Sequence, residues 1–250
     1  MDATVTAIPV LGLAIAFIPS AIVIGIMYFW SAGGKTALYA TFRMLIQLLL
    51  IGYVLLYIFD ADHPAVIVGV LAFMLAVASW IAIRPLKNKQ LTSYIHALSA
   101  ITVGGILTLA VVSQAVLSIQ PWFSPRYLVP LAGMIFAGSM NAVSLAAERL
   151  QSETSRGTSY LESRRIALQA ALIPITNSLF AVGLVALPGM MTGQILSGVS
   201  PLVAAKYQIV VMTMLFGASG ISAALYLVLA GRSLREGSAG DHMRANDQNR

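Results

Sequence analysis

Residues 64–83 read PAVIVGVLAFMLAVASWIAI, twenty consecutive positions without a charged side chain. At ~1.5 Å of rise per helical residue, such a run matches the ~30 Å hydrocarbon core of a bilayer. Asp60, Asp62 and His63 stand before it, and Arg84, Lys87 and Lys89 follow it. An apolar run polar at both ends is the pattern of a segment that crosses a membrane. The same pattern recurs at residues 8–30, 36–59, 95–117, 127–147, 166–187 and 205–230. Hydrocarbon offers the backbone no hydrogen-bond partner, and uninterrupted apolar runs of this length favour helices over barrel strands. The expected fold is therefore all-α, a polytopic transmembrane helical bundle of about seven spans.

Composition agrees. Of 250 residues, 58% are hydrophobic and only 10% charged, with a mean hydropathy of +0.85, too little charge to cover a soluble surface. There is no cysteine, which excludes disulfides and thiolate metal sites. Asp2 precedes the first span and no Lys or Arg does, so that span is read as a retained helix and not a secretory signal. With the N-terminus outside and the C-terminus in the cytoplasm, 13 of the 15 basic residues, Arg43 among them, lie on the cytoplasmic side. Only Arg126 and Lys206 lie outside. The net charge of +6 is thus a topological signature, with no nucleic-acid partner implied. A multi-pass protein of the plasma membrane, in bacteria the inner membrane, is expected. Residues 1–230 form its transmembrane domain, with a charged cytoplasmic loop at 148–165, and residues 231–250 a polar, disordered tail.

The candidate functional residues are few. All nine acidic residues lie outside the span cores, which argues against a proton antiporter and against a buried carboxylate metal site. Arg43 and Gln47 are one helical turn apart, able either to meet an anionic substrate or to snorkel and bond a neighbouring helix. In the sixth span Pro174 should kink the helix, with Thr176, Asn177 and Ser178 beside the kink either lining a pathway or repairing freed backbone groups. Asn177, both donor and acceptor, is the first choice as a lining residue. Small residues mark faces of close helix approach: Gly133, Ala137 and Asn141; Gly217 and Gly220; and Gly189, Gly193 and Ser197 after Pro188. The LPGMMTG segment, with Met190, Met191 and Gly193, is expected to form an outer gate beside the kinked helix. Asp62 or His63 should cap the helix opening at Pro64.

Gly217-Ala218-Ser219-Gly220 fits the short G-x-S-G string of serine intramembrane proteases, but no span offers Ser219 a histidine base, so an enzyme is the remotest reading. No phosphate-cradling G-x-x-x-x-G-K-[ST] occurs, so any ATP must be hydrolysed elsewhere.

Four segments carry a family resemblance: Arg43–Leu55 (RMLIQLLLIGYVL), Ala100–Val111 (AITVGGILTLAV), Val129–Val143 (VPLAGMIFAGSMNAV) and above all Ala170–Val211, with ALIPITNS, VGLVALPGMMTGQILSG and KYQIVV. The chain resembles the Fet-type ABC-transporter permeases, which include bacterial iron-export permeases and plant aluminium-sensitivity proteins. The resemblance implies a permease exporting a metal ion such as iron, or a small solute. It also implies two permeases paired with two cytosolic ATPases; ATP is bound only by that partner and no cofactor by this chain. It further implies that Arg156, Glu162, Arg164 and Arg165, in the 148–165 loop, couple to the ATPase. Arg156-Gly157-Thr158-Ser159 stands where the family pattern has a longer loop. A secondary carrier on the same bundle is the alternative.

Overall fold

The computed structural model describes residues 8–60, 63–87 and 89–247. Among them the chain is helical, with no strand beyond an isolated bridge between Val182 and Ala186. It divides after residue 62 into two compact units.

In the first unit, α1 (Val10–Ala16) and α2 (Ile18–Phe29) make one apolar rod that turns back into α3 (Gly34–Phe59). The turn requires its two glycines. Gly33 has φ +82°, and a Cβ on Gly34 would stand 2.8 Å from the Tyr28 backbone. α2 packs on α3, and most of their large apolar side chains are exposed, as side chains facing lipid must be.

The second unit contains α4 (Pro64–Ala82), α5 (Leu91–Ala110, continued by a π-helical segment, Val111–Val116), α6 (Pro125–Ser155), α7 (Tyr160–Ala181), the short α8 (Gly189–Leu196) and α9 (Pro201–Asp247). α6 sits centrally, packed on α4, α5, α7 and α9. Its seam with α7 and α9 is built from Ala142, Ala146, Ala167, Ala171 and Ala223, closed by Leu150 and Leu227. Alanine allows backbones to approach closely, which is how helices pack when lipid removes the hydrophobic drive between them. Two close approaches to α9 are at Gly104 and Gly138. A Cβ on Gly104 would fall on the Ser222 hydroxyl of α9 and lie 3.3 Å from the Ala218 carbonyl oxygen. One on Gly138 would lie 3.2 Å from Ser219 Oγ and 3.3 Å from Leu215 Cδ2.

Six helical segments among the described residues are long and apolar enough to span a membrane. The seventh expected span, 166–187, is different. Its helix, α7, starts earlier, with Glu162, Arg164 and Arg165 in its first turns, and ends at Ala181. Residues 182–187 are not helical, since Gly183 takes φ +81° and the chain turns toward Pro188.

The 148–165 stretch corrects a second expectation: it is a helical hairpin, and only 156–159 is non-helical. Three of its charged residues, Arg149, Glu153 and Arg156, are helical neighbours, with Arg149–Glu153 at 2.7 Å and Arg156–Glu153 at 3.7 Å. Gly157, at φ +84°, ends α6. Its N–H bonds the Thr154 carbonyl at 3.0 Å and the Thr158 N–H reaches the Glu153 carbonyl at 3.2 Å, the Schellman arrangement that satisfies terminal carbonyls. Ser159 then caps α7 by accepting from the Glu162 N–H at 3.4 Å.

Pro174 lies inside α7, and Ser178 Oγ donates to the Pro174 carbonyl at 3.0 Å. Two smaller expectations also change. His63 is the N-cap residue of α4 but makes no side-chain cap bond, and Asp62 lies outside the described residues. In the stretch expected as a disordered tail, α9 continues to Asp247. Residues 248–250 lie outside the described residues, as does Asp2.

Candidate functional site

Two neighbouring cavities lie along α6. The first, about 280 Å³, is bounded by α6, α7 and α9. α7 contributes Ala171, Pro174, Ile175 and Ser178, spaced as one face of a helix. α6 contributes Gly138 and Asn141, and α9 contributes Leu215 and Ser219. The second, about 650 Å³, lies between α6, α8 and α9, with Arg126, Tyr127, Met190, Gln194 and Tyr207 in its wall. Met134 lines both. Gln194 Oε1 and, on α9, Gln208 Oε1 are buried without a hydrogen-bond partner.

The chemistry of the lining is neutral and hydrogen-bonding. Asn141, Ser178, Ser219 and Gln194 offer donors and acceptors, Met134 and Met190 offer soft sulfur, and Arg126 is the one charged residue in either wall. Neither wall contains a carboxylate or histidine, and no cluster of three metal-ligating side chains occurs among the described residues. Ser219 and His96 line different cavities; His96 belongs to a separate polar one with Gln151 and Tyr226.

Of the residues named from sequence, Asn141, Ser178 and Met190 line the cavities. Asn177 and Thr176 do not. The cavity face of α7 is set by residues 171, 174, 175 and 178, and at ~100° per residue both lie off it. Met191 is half-buried outside both linings. Gly193 has open space where its Cβ would be, as do Gly189, Gly217 and Gly220, so no close approach within the chain explains these glycines. Arg43 and Gln47 belong to the first unit. With the Gln47 carboxamide oxygen turned toward Arg43, it accepts from Nε at 3.2 Å and from Nη2 at 3.3 Å.

Sequence reasoning missed Gly138, Met134, Arg126 and Gln194, and considered Ser219 only as a nucleophile. The cavity lining at 171, 174, 175 and 178 places Ser178 and Pro174 on one face of α7, a face that its apolar circumference does not mark in the sequence.

The coupling candidates surround the α6–α7 hairpin tip. Glu153 is buried and, besides its two arginines, accepts from Thr158 Oγ1 at 3.4 Å. The Tyr160 hydroxyl donates to the Leu227 carbonyl at 2.8 Å, and a Cβ on Gly231 would fall on the Tyr160 ring, so the tip is fastened to α9. The exposed Arg165 grips Glu162 with two bonds, at 2.6 and 3.1 Å, while Arg164 lies 5.7 Å from the Tyr160 ring centroid. The hydrogen bond and then the charge of Arg165 hold the Glu162 carboxyl below its ordinary range. The stabilising effect of this pair is present above the ordinary carboxylate pKa and is lost as pH falls through the lowered value.

Comparison with known proteins identifies the family. The model of the uncharacterised protein family UPF0014 matches residues 10–234. A UPF0014 membrane protein of Synechocystis is 38% identical over 195 residues, covering 70% of this chain and 73% of that protein. The probable iron export permease protein FetB of Escherichia coli is 36% identical, covering 75% of this chain and 77% of its own. The Arabidopsis thaliana protein ALUMINUM SENSITIVE 3 is 32% identical, covering 74% and 72%. No solved structure matches.

Proposed function

The chain belongs to the UPF0014 family of membrane proteins, and from that premise we propose that it is the permease subunit of an ABC transporter. It exports a metal ion such as iron, or a small solute, and a separate cytosolic ATPase supplies the energy. Two permeases act together, in the bacterial inner membrane, with the N-terminus outside and the C-terminus in the cytoplasm. The observation that carries this reading is the pair of cavities that share Met134, in a chain 36% identical to the probable iron export permease of E. coli. Neutral oxygens and thioethers would hold a substrate weakly enough to release it, as conduction requires. The basic hairpin at 156–165 is the surface an ATPase would move. Through Tyr160 that movement reaches α9, which forms a wall of both cavities.

The test is ATP-driven transport of ferrous iron in vesicles that contain the chain and its ATPase. Asn141→Leu removes an amide from the first cavity and fills it, and should lower transport at least about tenfold with ATPase binding unchanged. Iron movement in the wild type that does not depend on ATP would exclude the ATPase partner. Wild-type transport by the variant would remove the cavity from the path.

A further inference from the structure

A third hollow, of about 520 Å³, opens between α4, α5 and α6. Leu75, Leu109, Leu128 and Phe136 form its floor, each no more than 6% exposed. Its rim includes Val68 and Ile106, 52% and 47% exposed, both on membrane-spanning helices. The polar groups gather in the π-helical segment. Ser113 and Gln114 both line the hollow, joined to each other by a 3.3 Å bond from Gln114 Nε2 to Ser113 Oγ, with Trp122 beside them in the lining. Consecutive residues of an α-helix diverge by ~100°, and the wider π turn brings this pair to one hollow; such turns recur at functional sites.

Something must fill this space. An empty hollow forfeits the packing of its entire lining, and the loss grows with its volume. Water needs two to four polar partners per molecule, and these walls offer side-chain polar groups only at one end, at Ser113, Gln114 and the Trp122 indole N–H. At the depth of Val68 and Ile106 the bilayer supplies hydrocarbon chains. Tryptophan and glutamine suit the headgroup boundary, where one side of a lipid is apolar and the other can hydrogen-bond. We infer that this hollow is a lipid site. One acyl chain of a phospholipid lies across Leu75, Leu109 and Phe136, and its ester carbonyl accepts from the Gln114 amide beside Trp122. The inference depends on the membrane-spanning fold and not on the permease reading, so either can fail alone.

Trp122 supplies the probe, since the only other indoles are Trp30 and Trp80. The full chain carrying Trp30→Phe and Trp80→Phe, in detergent, is titrated with phosphatidylcholine brominated on its acyl chains. Trp122 fluorescence should be quenched in a saturable phase. Ala110→Phe and Ala72→Phe fill the hollow from different helices. Whichever of the two keeps its helical circular dichroism should weaken that phase about tenfold or more. Quenching that never saturates, or a saturable phase of equal affinity in a folded, filled variant, would overturn the site.

Discussion

Gly104→Leu should prevent the second unit from closing, at a loss of about 3 kcal/mol or more, the upper end of what overpacking costs. The position allows no escape. A side chain there meets the Ser222 hydroxyl, the Ser222 amide nitrogen at 3.0 Å and the Ala218 carbonyl oxygen at 3.3 Å, so two of its three nearest obstacles are backbone of α9. A flexible side chain could swing away, but a helix backbone can yield only by separating α5 from α9. Gly217→Leu is the matched control, because that glycine is on α9 and its added Cβ meets nothing within 4 Å. Thermal unfolding in detergent should place Gly217→Leu near the wild type and Gly104→Leu far below it. Equal melting temperatures for the two variants would show that α5 and α9 are not packed at Gly104.

The second large effect is expected at the hairpin tip. Arg164→Glu with Arg165→Glu should reduce association with the ATPase by about tenfold or more, because two charges that would complement an acidic surface become repulsive. The reversal removes the exposed Arg165–Glu162 pair and the Arg164 contact with Tyr160, but the Schellman turn at Gly157, the Ser159 cap and the Tyr160 bond to Leu227 do not involve either guanidinium group. Both arginines also supply positive-inside charge, so orientation is verified in the same sample. A correctly oriented double variant that co-purifies with its ATPase as the wild type does would mean that docking occurs elsewhere.

The membrane spans could be read from sequence because their signal is one-dimensional: a run of apolar residues of bilayer length, ended by charge. The loop error at 148–165 has a physical origin. Arg149, Glu153 and Arg156 look like a solvated loop in one dimension, but at three- and four-residue spacing they are also the side-chain pairs that stabilise a helix extending beyond the membrane. The cavity was harder to see. α7 carries apolar residues around most of its circumference, so no periodicity tells which side faces α6. Asn177, chosen for its chemistry, lies off the face that its neighbour Ser178 shares with Pro174. The glycines show the same limit. Gly104 and Gly138 sit against another helix while Gly193 and Gly217 do not, and four-residue spacing is compatible with both.

The most direct test uses the absence of cysteine from this chain, which makes every introduced thiol unique. Single cysteines at Asn141 and Ser178 lie on the cavity bounded by α6, α7 and α9, whereas cysteines at Ile173 and Asn177 lie on other faces of α7. Membrane-embedded protein is treated with a small, charged, membrane-impermeant thiol reagent, which modifies only thiols that water can reach. If this cavity belongs to a transport path, positions 141 and 178 will react in the presence of the ATPase and ATP, while 173 and 177 stay protected. Reaction at 173 and 177 with protection at 141 and 178 would contradict the account and place the path on the opposite side of α7.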